Sequence, residues 1–292
     1  DCEVRTSRST IMIHNLVLKA VRSDGLIFHY ESDDWRTTSV TGVDAADIEV
    51  SKEARGVGDG AIITGRRRLP REITITAQAQ NHEARAKAQG FHNNRYRVDL
   101  YITYNGVTRI AKDCELTGKS IPTKNVYKRP DMTIKFLSPH ADLFAVEGDQ
   151  TSFSKSQPMW AWPHAFRSGA KRNFSREEVA TEKVIEYLGS SPAQPIIEIE
   201  SQGYAKNVTV KVNNNVAVLN VELKKGDTIT IDTSRSYAVH NNKILALGMG
   251  DDPYDFRQFV LDYGDNVVKV DAEAGASALR TSIEYIGRYD GV

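Results

Sequence analysis

Alternating apolar residues, turn clusters at short regular intervals and one short helix signal predict a mainly-β protein with two antiparallel β-sandwich domains. Ile11–Ala20 alternates around Ile13, Leu16 and Leu18, and Gly25 separates it from the strand Leu26–Tyr30. Ile73–Ala77 places Ile73 and Ile75 on one face, and Tyr96–Tyr104 does the same with Val98, Leu100 and Ile102. Asn105-Gly106 supplies a type I′ turn into Val107–Ile110. Between these strands, Asn81 is a good helix N-cap and Gly90 a good C′ residue. The helix they bracket is short and alanine-rich, so with Ala84 and Ala88 at i, i+4 it can approach a sheet closely but bury little.

From Pro195 onward, strands recur at Ile196–Ile199, Val208–Val212, Val216–Leu223, Thr228–Ile231, Tyr237–Val239, Asn266–Val270 and Thr281–Ile286. Asn213–Asn215 and Lys225–Asp227 are the strongest turns among them. The pattern breaks over residues 145–183. There Pro158, Trp160, Trp162 and Pro163 form a knot, a basic run extends from Arg167 to Arg176, and Ser175–Glu178 opens a helical-looking turn. This stretch reads as the junction between domains, its tryptophans packed rather than exposed. The expected division is a leader or expression remnant over 1–11, a first domain over 12–145, the junction over 146–185 and a second domain over 186–292.

One segment of the first domain cannot be core. Residues 47–75 read as strand, glycine-studded hairpin, basic run and strand. Gly56, Gly58, Gly60 and Gly65 permit positive φ, and Arg66, Arg67, Arg68 and Arg71 crowd one end. An arm of this kind, spanning 52–70, buries little of itself and needs another surface to lie on.

Composition excludes several function classes. The chain has 292 residues, 40% apolar, enough for one large core or two ordinary ones. Its 38 basic and 38 acidic residues balance, so no bulk field draws it to nucleic acid or to an anionic membrane. No apolar run is long enough to span a bilayer. Cys2 and Cys114 are the only cysteines, so a cysteine metal site is excluded and a structural disulfide is not expected. The seven histidines are scattered. His140 and Asp142 have metal-ligand spacing but stand alone, and Glu177-Glu178 and Asp251-Asp252 read as surface patches rather than a glycosidase dyad. Gly56–Gly60 precedes a strand, which fails the phosphate-loop geometry. The chain therefore reads as non-enzymatic, without catalytic residues, cofactor or metal.

The same motifs carry a family resemblance over residues 12–290. Asp59-Gly60, the arginine cluster, Arg71–Ile75, Glu83-Ala84-Arg85 and Met132–Phe144 resemble the pattern of phage distal tail proteins. Val184–Ile199 is similar to the entry of that family's second domain, with Tyr187 where asparagine is usual, and Phe259–Val268 to a late hairpin of it. The resemblance implies a jelly-roll, galectin-like second domain and a hexameric ring formed by the first domain. It also implies a structural role at the virion tail tip or baseplate of a long-tailed phage, the protein being made in the host bacterial cytoplasm. The implied partners are the tail tube protein, a tail-associated lysin or tail-tip protein, and receptor-binding proteins, with DNA passing through the ring without sequence-specific contact and no membrane. Gly56, Asp59, Gly60, Arg66, Arg67, Arg68 and Arg71 become the subunit-interface candidates. The alternative is a carbohydrate-binding module for host cell-wall adhesion, with Trp160, Trp162, Tyr204, Tyr237 and Tyr254 available to stack on sugars. The basic patches Arg66–Arg68 and Lys171-Arg172 lack interleaved aromatics and read as protein contacts rather than nucleic-acid sites.

Overall fold

A computed structural model describes residues 16–56, 59–80, 82–122, 131–158, 175–247 and 255–292. It divides into two compact units, one holding the described residues up to Val146 together with Tyr289–Val292, the other Glu147–Arg288. Both are antiparallel and mainly β.

The first unit contains β1 (Leu16–Arg22), β2 (Ile27–His29), β3 (Trp35–Thr41), β4 (Ile48–Ala54), β5 (Ala61–Arg68), β6 (Arg71–Ala79), α1 (His82–Phe91), β7 (Val98–Tyr104), β8 (Val107–Ser120) and β9 (Asp131–Ser138). Strand β10 (Leu143–Ser152) carries the chain onward. One sheet runs β2-β1-β7-β8 and a second runs β8-β9-β6-β3, the 14-residue β8 serving both. β8 changes sheet near Asp113 (φ 54°), and its pairing with β9 is bulged between Leu116 and Gly118. A bulge of this kind bends a strand, which lets it turn a corner. Period-two alternation then decides the core. Ile73, Ile75, Val98, Leu100 and Ile102 are all buried in it, as their spacing predicts. Along β6 the inward residues shrink from isoleucine to Ala77 and Ala79, and α1 contributes the fully buried Ala84 and Ala88. Small residues on both elements suit a close helix-to-sheet approach.

The second unit contains β11 (Ser154–Pro158), β12 (Ser175–Val179), β13 (Glu182–Tyr187), β14 (Ile196–Ser201), β15 (Ala205–Val212), β16 (Asn215–Leu223), β17 (Thr228–Asp232), β18 (Tyr237–His240), β19 (Lys243–Leu247), β20 (Gly264–Ala274) and β21 (Leu279–Tyr289), the last running out of it. Ser175–Glu178, read from sequence as a helical turn, is strand β12, paired with β11 from Ser154↔Val179 to Pro158↔Ser175. Its acidic residues satisfy a helix N-terminus in sequence terms, but ladder pairing with β11 overrides that local preference. One sheet is ordered β19-β18-β17-β14-β21 and the other β13-β20-β15-β16. The first places Ile197 directly between Ile231 and Ile283. The second pairs Val210 with Val270 and Val212 with Val268, and all seven residues belong to one buried cluster.

Two turns explain why this unit keeps its register. Asn266 lies at the start of β20 with its amide fully used. Its Oδ1 accepts from the Asp262 N–H (2.8 Å) and from Asn213 Nδ2 (2.9 Å), and its Nδ2 donates to the carbonyls of Asp262 (2.6 Å) and Gly264 (2.9 Å). Tyr187, the departure from the family's asparagine, is buried. Its hydroxyl donates to the Ser191 carbonyl (2.7 Å) and accepts from the Arg288 N–H (2.9 Å). Residue 189 must be glycine beside it, since a Cβ there would lie 2.0 Å from the tyrosine oxygen.

Candidate assembly surface

Among the described residues, strands β4 and β5 form a two-stranded sheet of their own, paired only with each other from Ile48↔Arg68 to Ala54↔Ala61. Every residue of β4 is exposed, and six of the eight in β5 are. A two-stranded ribbon with no core beneath it has little intrinsic stability. Its exposed residues nonetheless include Ile48, Val50, Ile62 and Ile63, between 44% and 62% accessible. Gly60 is at φ +104° in the connecting turn, close to Asp59. Gly56 and Gly65 do not use positive φ, so among the described glycines of the arm only Gly60 needs its conformational freedom. Gly58 lies outside the described residues.

The four arginines of the sequence cluster have four different environments. Arg66 is exposed and has no ion pair with a described residue. Arg67 points to the opposite face of the ribbon, where its Nε donates to Glu49, its direct cross-strand neighbour, at 2.7 Å. Arg68 holds both Asp142 and Asp290. Arg71 is only 1% exposed. Its Nε and Nη2 both donate to the Ala141 carbonyl (2.9 and 2.8 Å), its Nη1 to the Gly42 carbonyl (2.9 Å), and its Nη2 also to the Asp290 carbonyl. Burial pulls the Arg71 pKa below the ordinary arginine value, and the nearby Asp290 carboxylate opposes that shift.

Arg68 and Arg71 therefore build a latch at the foot of the ribbon that grips the end of the chain. Arg109 adds to it by stacking on the Tyr289 ring, 3.8 Å from its centroid. Gly291 passes so near the backbone that a Cβ there would lie 1.7 Å from the Asp44 oxygen. Sequence reasoning missed Asp142, Asp290 and Gly291 as members of this latch. They are remote in sequence from the arginines, and no periodicity connects them.

The second unit has a shallow groove of about 430 Å³ on the outer face of its sheet β13-β20-β15-β16, lined by Asn207, Thr209, Lys211, Val216, Val218 and Lys269 among others. No aromatic residue lines it. Of the candidate sugar-stacking residues, Tyr204 is exposed and Tyr237 half-buried, while Trp160, Trp162 and Tyr254 lie outside the described residues. Arg167–Arg172 and Asp251-Asp252 lie outside them too. Asn207, within a glycosylation-type sequon, donates instead to Glu273 at 2.6 Å. Among the described residues no group of three or more His, Cys, Asp and Glu side chains is placed to hold a metal ion, and no helix is long and apolar enough to cross a membrane.

Comparison with known proteins bears on both units. Residues 188–289 match the model of the C-terminal domain of the siphovirus-type tail component. The fold is similar to that of the SPP1 Dit (gp 19.1) protein, described as a paradigm of hub adsorption apparatus in phages infecting Gram-positive bacteria. That similarity has a TM-score of 0.65 at 11% identity and covers 93% of this chain and 99% of the other. A chain of the phage p2 baseplate, in its activated conformation with Sr, aligns over 95% of this chain and 99% of its own length, with 10% identity and a TM-score of 0.47. No curated protein sequence matches. The resemblance to phage distal tail proteins read from the sequence is borne out: residues 188–289 match the C-terminal domain of the siphovirus-type tail component, within a chain whose fold is similar to that of SPP1 Dit.

Proposed function

We propose that this protein is a non-enzymatic structural hub of a phage or prophage tail tip, forming a ring of six subunits through its first domain, residues 12–145. In this reading the ring joins the tail tube to the tail-tip or tail-associated lysin protein, and DNA passes through it without sequence-specific contact. The second domain, residues 186–292, projects from the ring to carry receptor-binding or other baseplate proteins. The observation that carries the reading is the β4–β5 ribbon. It pairs with no other described strand of its own chain and exposes four large aliphatic side chains. A closed ring needs heterologous contacts, one patch meeting a different patch on the next copy, and a projecting ribbon supplies the first of those patches. Carbohydrate adhesion, the alternative, gains no support from a groove that lacks aromatic lining.

Sizing by light scattering tests the reading. Replacing residues 49–67 with Asn-Gly joins Ile48 to its cross-strand partner Arg68 through a two-residue hairpin turn, which removes Val50 and Arg66 and keeps the latch. The wild-type chain is expected to be a multimer, and the shortened variant a folded monomer. A shortened variant with wild-type mass would contradict the role given to the ribbon.

A further inference from the structure

The proposed ring leaves open which chemistry the ribbon presents and what receives it. The sequence puts four guanidinium groups on that surface, but the structure commits three of them within the chain. What is free can be read from the strand register. Directly opposed residues share a face, and alternate residues along a strand do too. Ile48, Val50 and Lys52 therefore share one face of β4, and Arg66 and Ile63 are opposite Val50 and Lys52 on β5. Arg68, opposite Ile48, shares the Val50 face but is committed to Asp142 and Asp290, and the other face carries Glu49 already bound to Arg67, with Ser51, Glu53 and Ile62. Both faces hold aliphatic side chains, but only the Val50 face adds a guanidinium, that of Arg66, with no ion pair to a described residue, while the Arg67 guanidinium of the other is already neutralised by its neighbour.

The first unit contains a surface of matching pattern. Leu137, on the outer side of β9, is paired with Glu72 on one flank and with Glu115 on the other. All three are exposed, so a leucine stands between two carboxylates in a single row across three strands. Glu115 is shared with Arg97 by a long, exposed contact of 3.7 Å. Glu72 has no ion pair with a described residue. Neighbouring strands are about 4.8 Å apart, so Val50 and Arg66 have the same lateral offset as Leu137 and either flanking glutamate.

Resting on the ring reading above, we infer that the Val50 face of the ribbon docks on the Glu72–Leu137–Glu115 row of a second copy of this chain. Val50 and Ile63 cover Leu137, and Arg66 reaches a flanking carboxylate. The contact is not made within one copy, where both surfaces are exposed. Apolar cover supplies most of the attraction, and the guanidinium–carboxylate pair fixes register and direction.

Crosslinking of the full chain tests this directly. In a Cys2→Ser background, a Val50→Cys preparation is mixed with a Leu137→Cys preparation and treated with a short bis-maleimide. Cys114 is buried, and burial pushes its thiol pKa up to about 12, which keeps it out of the reaction. Covalent dimers are expected from the mixture, and none when Ser51→Cys, on the opposite face, replaces Val50→Cys. Arg66→Glu should raise the concentration for half-assembly roughly tenfold, equivalent to about 1.4 kcal/mol per contact. Glu72→Arg or Glu115→Arg in the same chain should recover part of that loss, and Arg67→Ala should leave assembly unchanged. If the wild type assembles and the shortened ribbon is monomeric, but Val50→Cys and Leu137→Cys do not crosslink, the docking inference falls and the ring reading survives. If the shortened ribbon assembles normally, the ring reading falls and takes this inference with it.

Discussion

Two buried side chains of the first unit bear most on its stability. Arg71, itself 1% exposed, satisfies three backbone carbonyls. Removing a buried donor leaves its acceptors unpaired, at about 1–3 kcal/mol for each group. Arg71→Met should therefore lower stability by roughly 3 kcal/mol or more, read from urea midpoints, while Arg71→Lys, which keeps a charge but loses the fork, should fall between. His92 is the second. Its Nδ1 faces the Ala88 carbonyl at 2.8 Å and therefore carries the proton, so Nε2 accepts from the Tyr30 hydroxyl at 2.7 Å. Burial lowers the His92 pKa from 6.5 to about 4, with Lys119 and Arg22 acting in the same direction. Between those values the unfolded chain binds the extra proton, so this contribution is full above pH 6.5, declines as pH falls to 4 and is level below. The total is about 3 kcal/mol. The slope of urea stability against pH over that window should flatten in His92→Gln, and an unchanged slope would remove His92 as its source.

At the scale of elements, local chemistry was legible wherever one face is buried. The alternation around Ile73 and Val98 predicted core residues correctly because a one-residue slip would expose the whole set. Asn105-Gly106 forms its predicted turn, with φ of 49° and 84°. Strand β3 went unread because Trp35–Thr41 has mostly exposed residues and no apolar alternation. The latch was unreadable for a different reason: Arg71 looks like a surface arginine until Asp290 and Ala141 surround it. The arm was legible as an excursion but not in its chemistry, since cross-strand register decides that Arg67 meets Glu49 while Val50 and Arg66 remain free. Because the ribbon has no core beneath it, its shortening to Asn-Gly should change the unfolding free energy of the subunit, read from urea titration, by no more than about a few tenths of a kcal/mol, the range usual for surface changes. A loss of several kcal/mol would mean the ribbon supports its own subunit.

For the whole molecule, the C-terminal residues Tyr289–Val292 belong to the first unit although the strand leading to them belongs to the second. Deleting Asp290–Val292 removes acceptors of both Arg68 and Arg71 and should destabilise the first unit by about as much as Arg71→Met, because the same buried guanidinium loses its partner. The loss should appear as an earlier thermal transition. Assembly into a six-membered ring is open to direct test by negative-stain electron microscopy of the purified full chain. Closed rings are expected, with class averages of six-fold symmetry, and they should vanish in the shortened-ribbon variant. Single particles of monomer size at high protein concentration would contradict it.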